Sequence, residues 1–240
     1  MAGEILVDGQ TALKPSQLVN AEAVIEVKTP PRFVSRGGEK LAAALDEFAV
    51  LPAGWVCADV GASTGGFTDC LLQAGASRVY AIDVGYGQLA WSLRNDSRVK
   101  VMERVNARYL HELPEQIELV CMDASFISLK LLIPAARGWL APDGQMVALV
   151  KPQFEAGREQ VGKGGVVRSE ETHAAVLRDI MSFATNEGLS IRGLMPSPIT
   201  GPAGNVEFLL WLSTSRGAPR PDVEALILAA IERAPSGLGR

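Results

Sequence analysis

No run of apolar residues in this 240-residue chain approaches the roughly 20 that a membrane-spanning helix needs; stretches such as Met146–Val150 and Ala225–Ile231 have the length of core elements. The N-terminus lacks a basic region followed by an apolar one, which an export signal requires. Neither a membrane-integrated nor an exported protein is expected, and the cytoplasm is the default location. Cysteine is scarce. Cys57, Cys70 and Cys121 are an odd number without metal-ligand spacing, and two of them fall in strand-like apolar runs, so buried thiols are expected and a metal site is not. The two histidines, His111 and His173, have no partners at triad or metal spacing and are expected to be structural or solvent-facing. Basic residues are not in excess either: 23 Lys and Arg against 27 Asp and Glu leave a net charge of −4. That total does not advertise a nucleic-acid partner, although it hides local patches.

What is present is an ordinary globular composition, 48% hydrophobic and 21% charged, in a chain long enough for one large domain and an appendage. Gly3–Gly9 and Val24–Val27 read as two short strands, too little to hold a core alone, and Pro30-Pro31 mark a linker. A new domain begins near Val34, with helical spacing over Gly38–Val50. Beyond it, β-rich runs at Trp55–Val60, Arg78–Val84, Val99–Arg104, Glu118–Met122 and Gln145–Val150 alternate with helix-compatible segments around Phe67–Ala74, Gln88–Arg94 and Leu129–Leu140. Such alternation predicts a mostly parallel sheet with helices on both faces, an α/β fold. Ser169–Glu187 reads as a longer helix capped by Ser169. Leu189–Leu194 and Val206–Ser213 follow with no helix between them, which predicts a terminal antiparallel hairpin, and the tail is expected to hold one helix, Asp222–Glu232.

The segment Asp59-Val-Gly-Ala-Ser-Thr-Gly-Gly-Phe67 joins the first strand of this alternation to a helix. Its glycines let backbone approach a ligand closely, but it does not carry the G-x-G-x-x-G spacing of a dinucleotide fingerprint. Asp59 places a carboxylate beside the loop, where it can attract the ammonium or sulfonium charge of S-adenosylmethionine; a nicotinamide cofactor offers no such cation. Asp83 ends the second strand, where a carboxylate can take both ribose hydroxyls of an adenosine cofactor. Asn106 and Asp123 follow the third and fourth strands, at the edge where open α/β sheets bind ligands. Any one of these side chains could equally serve a turn. The expected cofactor site is Asp59, Gly61, Ala62, Ser63, Gly65, Gly66, Phe67, Asp83, Asn106 and Asp123.

With the glycine loop, Cys121-Met-Asp-Ala-Ser-Phe126, Val150-Lys-Pro-Gln-Phe-Glu155, Gly162-Lys-Gly-Gly-Val-Val-Arg168 and Gly204-Asn-Val-Glu-Phe208 in view, the chain resembles the TlyA family from Met1 to Ser213. Its members, once called haemolysins, are ribosomal RNA 2′-O-methyltransferases with an FtsJ-like, Rossmann-like catalytic domain behind an N-terminal S4 RNA-binding domain. The resemblance implies S-adenosylmethionine as cofactor, ribosomal RNA or ribosomal subunits as partner, and a Lys-Asp-Lys-Glu tetrad falling on Lys40, Asp123, Lys151 and Glu207. A ribose hydroxyl is a poor nucleophile and must be aligned with the sulfonium and stripped of its proton. Burial and a neighbouring Lys40 are expected to ready Lys151 as base, with Asp123 and Glu207 positioning the two ammonium groups. Without the resemblance, Lys40 reads as a solvated charge on an amphipathic helix, and Glu207 as a charge inside the apolar strand Val206–Leu212 that faces solvent at an edge or has a purpose. Lys151 precedes Pro152 and so ends its strand at the ligand edge. The loop Gly162–Arg168 is cationic through Lys163 and Arg168 and suits RNA phosphate, or is simply a surface loop.

The implied organisation is a partial S4-like segment and linker over 1–31, a methyltransferase domain over 32–214, and a C-terminal helix with a loose tail over 215–240. The family's S4 domain begins with basic helices ahead of the stretch at which this chain starts, and the expectation is weak binding to naked RNA. Two alternatives stand beside the enzyme: a non-catalytic RNA-binding or ribosome-assembly factor, and a membrane-active haemolysin. An amino-group methyltransferase is disfavoured because Asp123-Ala-Ser-Phe126 lacks the Asn/Asp-Pro-Pro-Tyr/Phe prolines.

Overall fold

A computed structural model describes residues 5–12, 14, 17–27, 31–215 and 221–235. They belong to two compact units, Met1–Arg32 and Phe33–Arg240. The start of the expected first strand, Pro30 of the expected linker and the residues around both ends of the C-terminal helix lie partly outside the described residues. In the first unit, β1 (Ile5–Val7), β2 (Gln10–Thr11) and β3 (Ile25–Val27) form an antiparallel sheet in the order β2-β1-β3. The strand read from sequence as ending at Gly9 is half of a hairpin instead. Asp8 and Gly9, at φ 50° and 77°, make a two-residue turn of the kind that matches the right-handed twist of paired strands, and Asp8 Oδ1 accepts the Val24 N–H at 2.9 Å.

The second unit carries the seven-stranded sheet. After α1 (Gly37–Glu47) come β4 (Val56–Val60), α2 (Gly66–Gln73), β5 (Arg78–Asp83), α3 (Trp91–Arg94), β6 (Val99–Glu103), β7 (Ile117–Met122), α4 (Ile133–Trp139) and β8 (Leu140–Val150). They are followed by α5 (Pro152–Glu155), α6 (Glu170–Asn186), β9 (Ser190–Pro196), β10 (Phe208–Ser213) and α7 (Val223–Glu232). The sheet order is β6-β5-β4-β7-β8-β10-β9, parallel from β6 to β8, with β10 antiparallel to both its neighbours. Leu41, Leu45, Leu71 and Leu93 of α1 to α3 cover one face, meeting Cys57, Leu119, Cys121 and Leu149. Ile133, Trp139, Leu177, Ile180 and Ile227 of α4, α6 and α7 cover the other, meeting Ala58, Val60, Met122 and Phe208. Burial on both faces explains why these strands read as near-continuous apolar runs.

Ser169 caps α6 by accepting the Thr172 N–H, as its position in the sequence predicts. Elsewhere the boundaries differ. Leu129–Leu140 is a 3₁₀ turn (Leu129–Leu131) followed by α4, and Gln88–Arg94 shrinks to a single helical turn. β8 starts at Leu140, five residues before the expected Gln145: the Pro142-Asp143-Gly144 signal marks an irregularity in the strand, with Asp143 at φ 60°, and not its beginning. Cys57, Cys70 and Cys121 are all buried thiols, none of them in a disulfide.

Candidate active site

The chain leaves β4 toward β5 and β6 on one side and later returns to β7 on the other side of β4, so the connections diverge above the carboxyl ends of β4 and β7. Open α/β sheets bind ligands at such a crevice. Gly61 turns the chain there at φ 85°, and a Cβ on it would lie 2.7 Å from the Asp123 carbonyl oxygen, so the two strand ends can meet this closely only with glycine between them. Beneath the loop Asp59 is fully buried, and its Oδ2 accepts from Thr68 N at 2.9 Å and Thr68 Oγ1 at 2.7 Å. Its other oxygen, Oδ1, is buried without a hydrogen-bond partner.

Asp59, Gly61, Ala62, Ser63, Gly66 and Phe67 border a cavity of about 440 Å³ that is also lined by Lys40, Asp123, Lys151 and Glu207. Sheet register explains the second set. Val150 pairs with Phe208 across the antiparallel β8–β10 ladder, so Lys151 and Glu207, each one residue beyond the pair, emerge side by side. Asp123 follows β7, the parallel neighbour of β8. Lys40 reaches in from α1. The four groups form two ion pairs, Lys40 Nζ to Glu207 Oε2 at 2.5 Å and Lys151 Nζ to Asp123 Oδ1 at 2.6 Å. Lys40, Lys151 and Glu207 are 7%, 8% and 2% exposed. The solvated reading of Lys40 is therefore wrong, and so is the edge reading of Glu207, which lies just before β10 and not inside it. Each lysine faces a carboxylate, a pairing that the order of residues along the chain does not reveal.

A second cavity of about 450 Å³ shares Gly61, Ser63, Asp123 and Ser125 with the first and extends past Asp83 and Asn106 into an apolar slot of Val84, Val105, Phe126, Ile127 and Leu132. Asp83 accepts the backbone N–H groups of Ser63 at 2.8 Å and Gly85 at 2.6 Å. Ser63 is held at φ 49°, a conformation that costs a non-glycine residue energy and is concentrated at ligand sites. Asn106 accepts the Arg108 N–H at 3.1 Å, so it has a turn role as well as a place on the cavity wall. These residues fit S-adenosylmethionine on two observations. The orphaned Asp59 Oδ1 offers a buried anion where a cation can dock, and the second cavity joins a carboxylate suited to ribose hydroxyls to an apolar slot suited to a purine. Burial pushes the Asp59 carboxyl up to about 7, against the Thr68 hydrogen bonds and with the charges of Asp123 and Asp83.

Gly65 is the one expected cofactor residue that borders neither cavity. At φ 99° it starts α2 with its Cα against Leu93 and Leu89, and a Cβ there would come within 2.3 Å of Leu93 Cδ1, so its role is in packing. Three polar side chains at the site were not singled out from sequence. Ser125 Oγ accepts from Lys151 Nζ at 2.9 Å. Glu155 takes Ser128 Oγ at 2.6 Å and Leu129 N at 2.8 Å, tying the loop after Asp123 to α5, and burial raises its carboxyl above the ordinary value. Arg36 donates to the Thr200 carbonyl at 2.8 Å at the rim of the first cavity. The only available signal for the first two was their place inside the Asp123–Phe126 and Lys151–Glu155 motifs. His173 is buried, contacts the Val167 carbonyl through Nε2 at 3.2 Å and stands apart from both cavities, as a structural histidine does.

A family model described as FtsJ-like methyltransferase matches residues 33–214. The chain is 46% identical over 240 residues to the 16S/23S rRNA (cytidine-2′-O)-methyltransferase TlyA of Mycobacterium tuberculosis, covering 98% of this chain and 90% of that protein. It is 50% identical over 218 residues to YqxC of Bacillus subtilis, which is named as an rRNA methyltransferase, covering 88% and 77%. A solved structure from Streptococcus thermophilus that carries the haemolysin name superposes with a TM-score of 0.81 at 43% identity, covering 96% of this chain and 85% of that one. A crevice with the strand-end carboxylates and paired lysines described above, and a family match spanning the whole seven-stranded sheet, establish that the chain belongs to the FtsJ-like methyltransferase family.

Proposed function

We propose that this protein is an S-adenosylmethionine-dependent methyltransferase that acts in the cytoplasm on a ribose 2′-hydroxyl of ribosomal RNA, within a ribosomal subunit. The observation that carries the reading is the convergence of Lys40, Asp123, Lys151 and Glu207 on a cavity continuous with the carboxylate-bearing second cavity. The M. tuberculosis relative is named for ribose 2′-O methylation of ribosomal RNA, and this chain carries the tetrad residue types through the matched region. Among the described residues no helix is long and apolar enough to cross a membrane.

S-adenosylmethionine, when bound, supplies a methyl group on a sulfonium, which leaves as a neutral thioether once the methyl is transferred. Asp59 Oδ1 is the group that would hold its cationic end, and Asp83 its ribose. Lys151 stands where the incoming hydroxyl must lose its proton and accepts that proton on Nζ, with Asp123 fixing the side chain. The positive charge lost from sulfur thus ends on the lysine, beside a carboxylate that stabilises it. Lys40, held by Glu207, presents a second donor on the cavity wall to orient the substrate oxygen. Exposed Lys163 and Arg168 flank the turn at 162–168, which Asn205, two residues before Glu207, anchors by accepting from Val167 N at 3.0 Å and donating to Gly165 O at 2.9 Å. Their charge suits RNA phosphate despite the net negative chain. Incubation with methyl-tritiated S-adenosylmethionine and unmodified ribosomal subunits tests the reading: label mapped to a ribose 2′-oxygen is expected, and label on a base, on protein or nowhere overturns it.

A further inference from the structure

Two partners of Lys151 come from a single loop. Asp123 Oδ1 lies 2.6 Å and Ser125 Oγ 2.9 Å from Nζ, two residues apart on the loop that leaves β7. To take up a proton from the substrate, Lys151 must first have released the one it holds in the ion pair, and its amine then has two N–H bonds and one lone pair in a tetrahedral array. Donating one N–H to Asp123 and the other to Ser125 uses both, and the lone pair is left for the cavity that all three residues line. With Asp123 alone, the amine could spin about its Cε–Nζ bond and aim the lone pair elsewhere. Ser125 is exposed because it borders both cavities, so its hydroxyl is not committed to the core. The loop that carries it is itself fixed. The residue after it, Phe126, is held at φ 62° with its ring 4.9 Å from that of Phe154, and Glu155 grips Ser128 and Leu129 beyond.

We propose that Ser125 is a positioning residue for the methyl transfer: its hydroxyl sets the rotation of the Lys151 amine so that the proton-accepting lone pair faces the substrate oxygen. This rests on the methyltransferase reading given above. Such a role affects turnover and not the binding of either substrate, since misalignment of a reacting group by about 1 Å can cost on the order of 100-fold in rate.

The experiment compares wild type with Ser125→Ala and Ser125→Thr in three measurements. Steady-state methylation of unmodified ribosomal subunits is expected to show kcat reduced roughly 10- to 100-fold in Ser125→Ala, with KM for the subunit within about threefold, and Ser125→Thr within a few-fold of wild type. Calorimetric affinity for S-adenosylmethionine is expected to be unchanged in both variants. The third measurement does not need turnover. In ¹⁵N-lysine-labelled protein, the Lys151 side-chain resonance, assigned through Lys151→Arg, is expected to show slow hydrogen exchange in wild type and Ser125→Thr and fast exchange in Ser125→Ala. An unchanged kcat with unchanged exchange in Ser125→Ala overturns the proposal. So does a parallel loss of cofactor affinity, which would make Ser125 a cofactor contact and not a positioning residue for Lys151. If wild type transfers no methyl to RNA yet exchange still depends on Ser125, the substrate assignment fails and the positioning of Lys151 stands.

Discussion

Lys40 and Glu207 stand 167 positions apart in the chain and meet at 2.5 Å, with Glu207 only 2% exposed. Removing one member of a buried pair leaves the other charged without a partner, at a cost of about 3–5 kcal/mol, whereas replacing both can be nearly neutral. Lys40→Ala is therefore expected to lose stability on that scale in urea unfolding, and Lys40→Met with Glu207→Gln to regain most of it while staying inactive. A single-variant loss below about 1 kcal/mol would show that the pair contributes little to the fold.

Lys151→Ala is expected to abolish methyl transfer while leaving S-adenosylmethionine affinity within a few-fold, because the contacts proposed for the cofactor are Asp59 and Asp83. Glu207→Gln keeps a hydrogen-bonding side chain beside Lys40 and is expected to be less severe. Single-turnover rates with pre-bound cofactor decide both; near-normal rates in Lys151→Ala would remove it from the mechanism.

Asp83→Ala is expected to weaken cofactor binding by about 1–3 kcal/mol, the usual loss of a charge-assisted hydrogen bond. Because Asp83 also holds the N–H groups of Ser63 and Gly85, Asp83→Asn is the sharper variant. Unchanged affinity by calorimetry in both would overturn the assignment.

The proposed role of Asp59 is expected to make cofactor binding depend on pH. Between the ordinary carboxylate value of 3.8 and about 7, the folded protein keeps a proton on Asp59 that the unfolded chain has released. Folded stability without cofactor therefore falls as pH rises through that window. The cation needs the deprotonated form, so affinity is expected to rise with pH, by up to about tenfold per unit below 7, and to level off above it. Asp59→Asn is expected to flatten both profiles. Calorimetry at pH 5.5 to 8.5 reads the affinity, and a flat wild-type profile would exclude Asp59 as the cation's partner.

Much of this site could be read from residue order, and the reason is topological. In a parallel sheet every strand ends at the same edge, so polar residues just past successive apolar runs, Asp59 with Gly61, then Asp83, Asn106 and Asp123, are brought together by the fold itself. What residue order could not supply was pairing. That Lys40 belongs to Glu207 and Lys151 to Asp123 depends on the β8–β10 register and on the approach of α1, both long-range. Ser125 and Glu155 escaped notice because a serine in a loop and a glutamate at the end of a four-residue helix carry no pattern until their partners are located. The hairpin at Asp8-Gly9 was missed for a different reason: its second strand is only two residues long, below the length at which alternation can be seen.

The placement of β10 between β8 and β9 has a consequence for timing. Glu207 leads into β10, which follows β9 in the chain, so during translation Lys40 is made early and waits without its partner until that strand has emerged. A nascent chain cannot hold the complete four-residue constellation while β10 is still inside the ribosome. The two lysine–carboxylate pairs are thus complete only after β10 has joined the sheet.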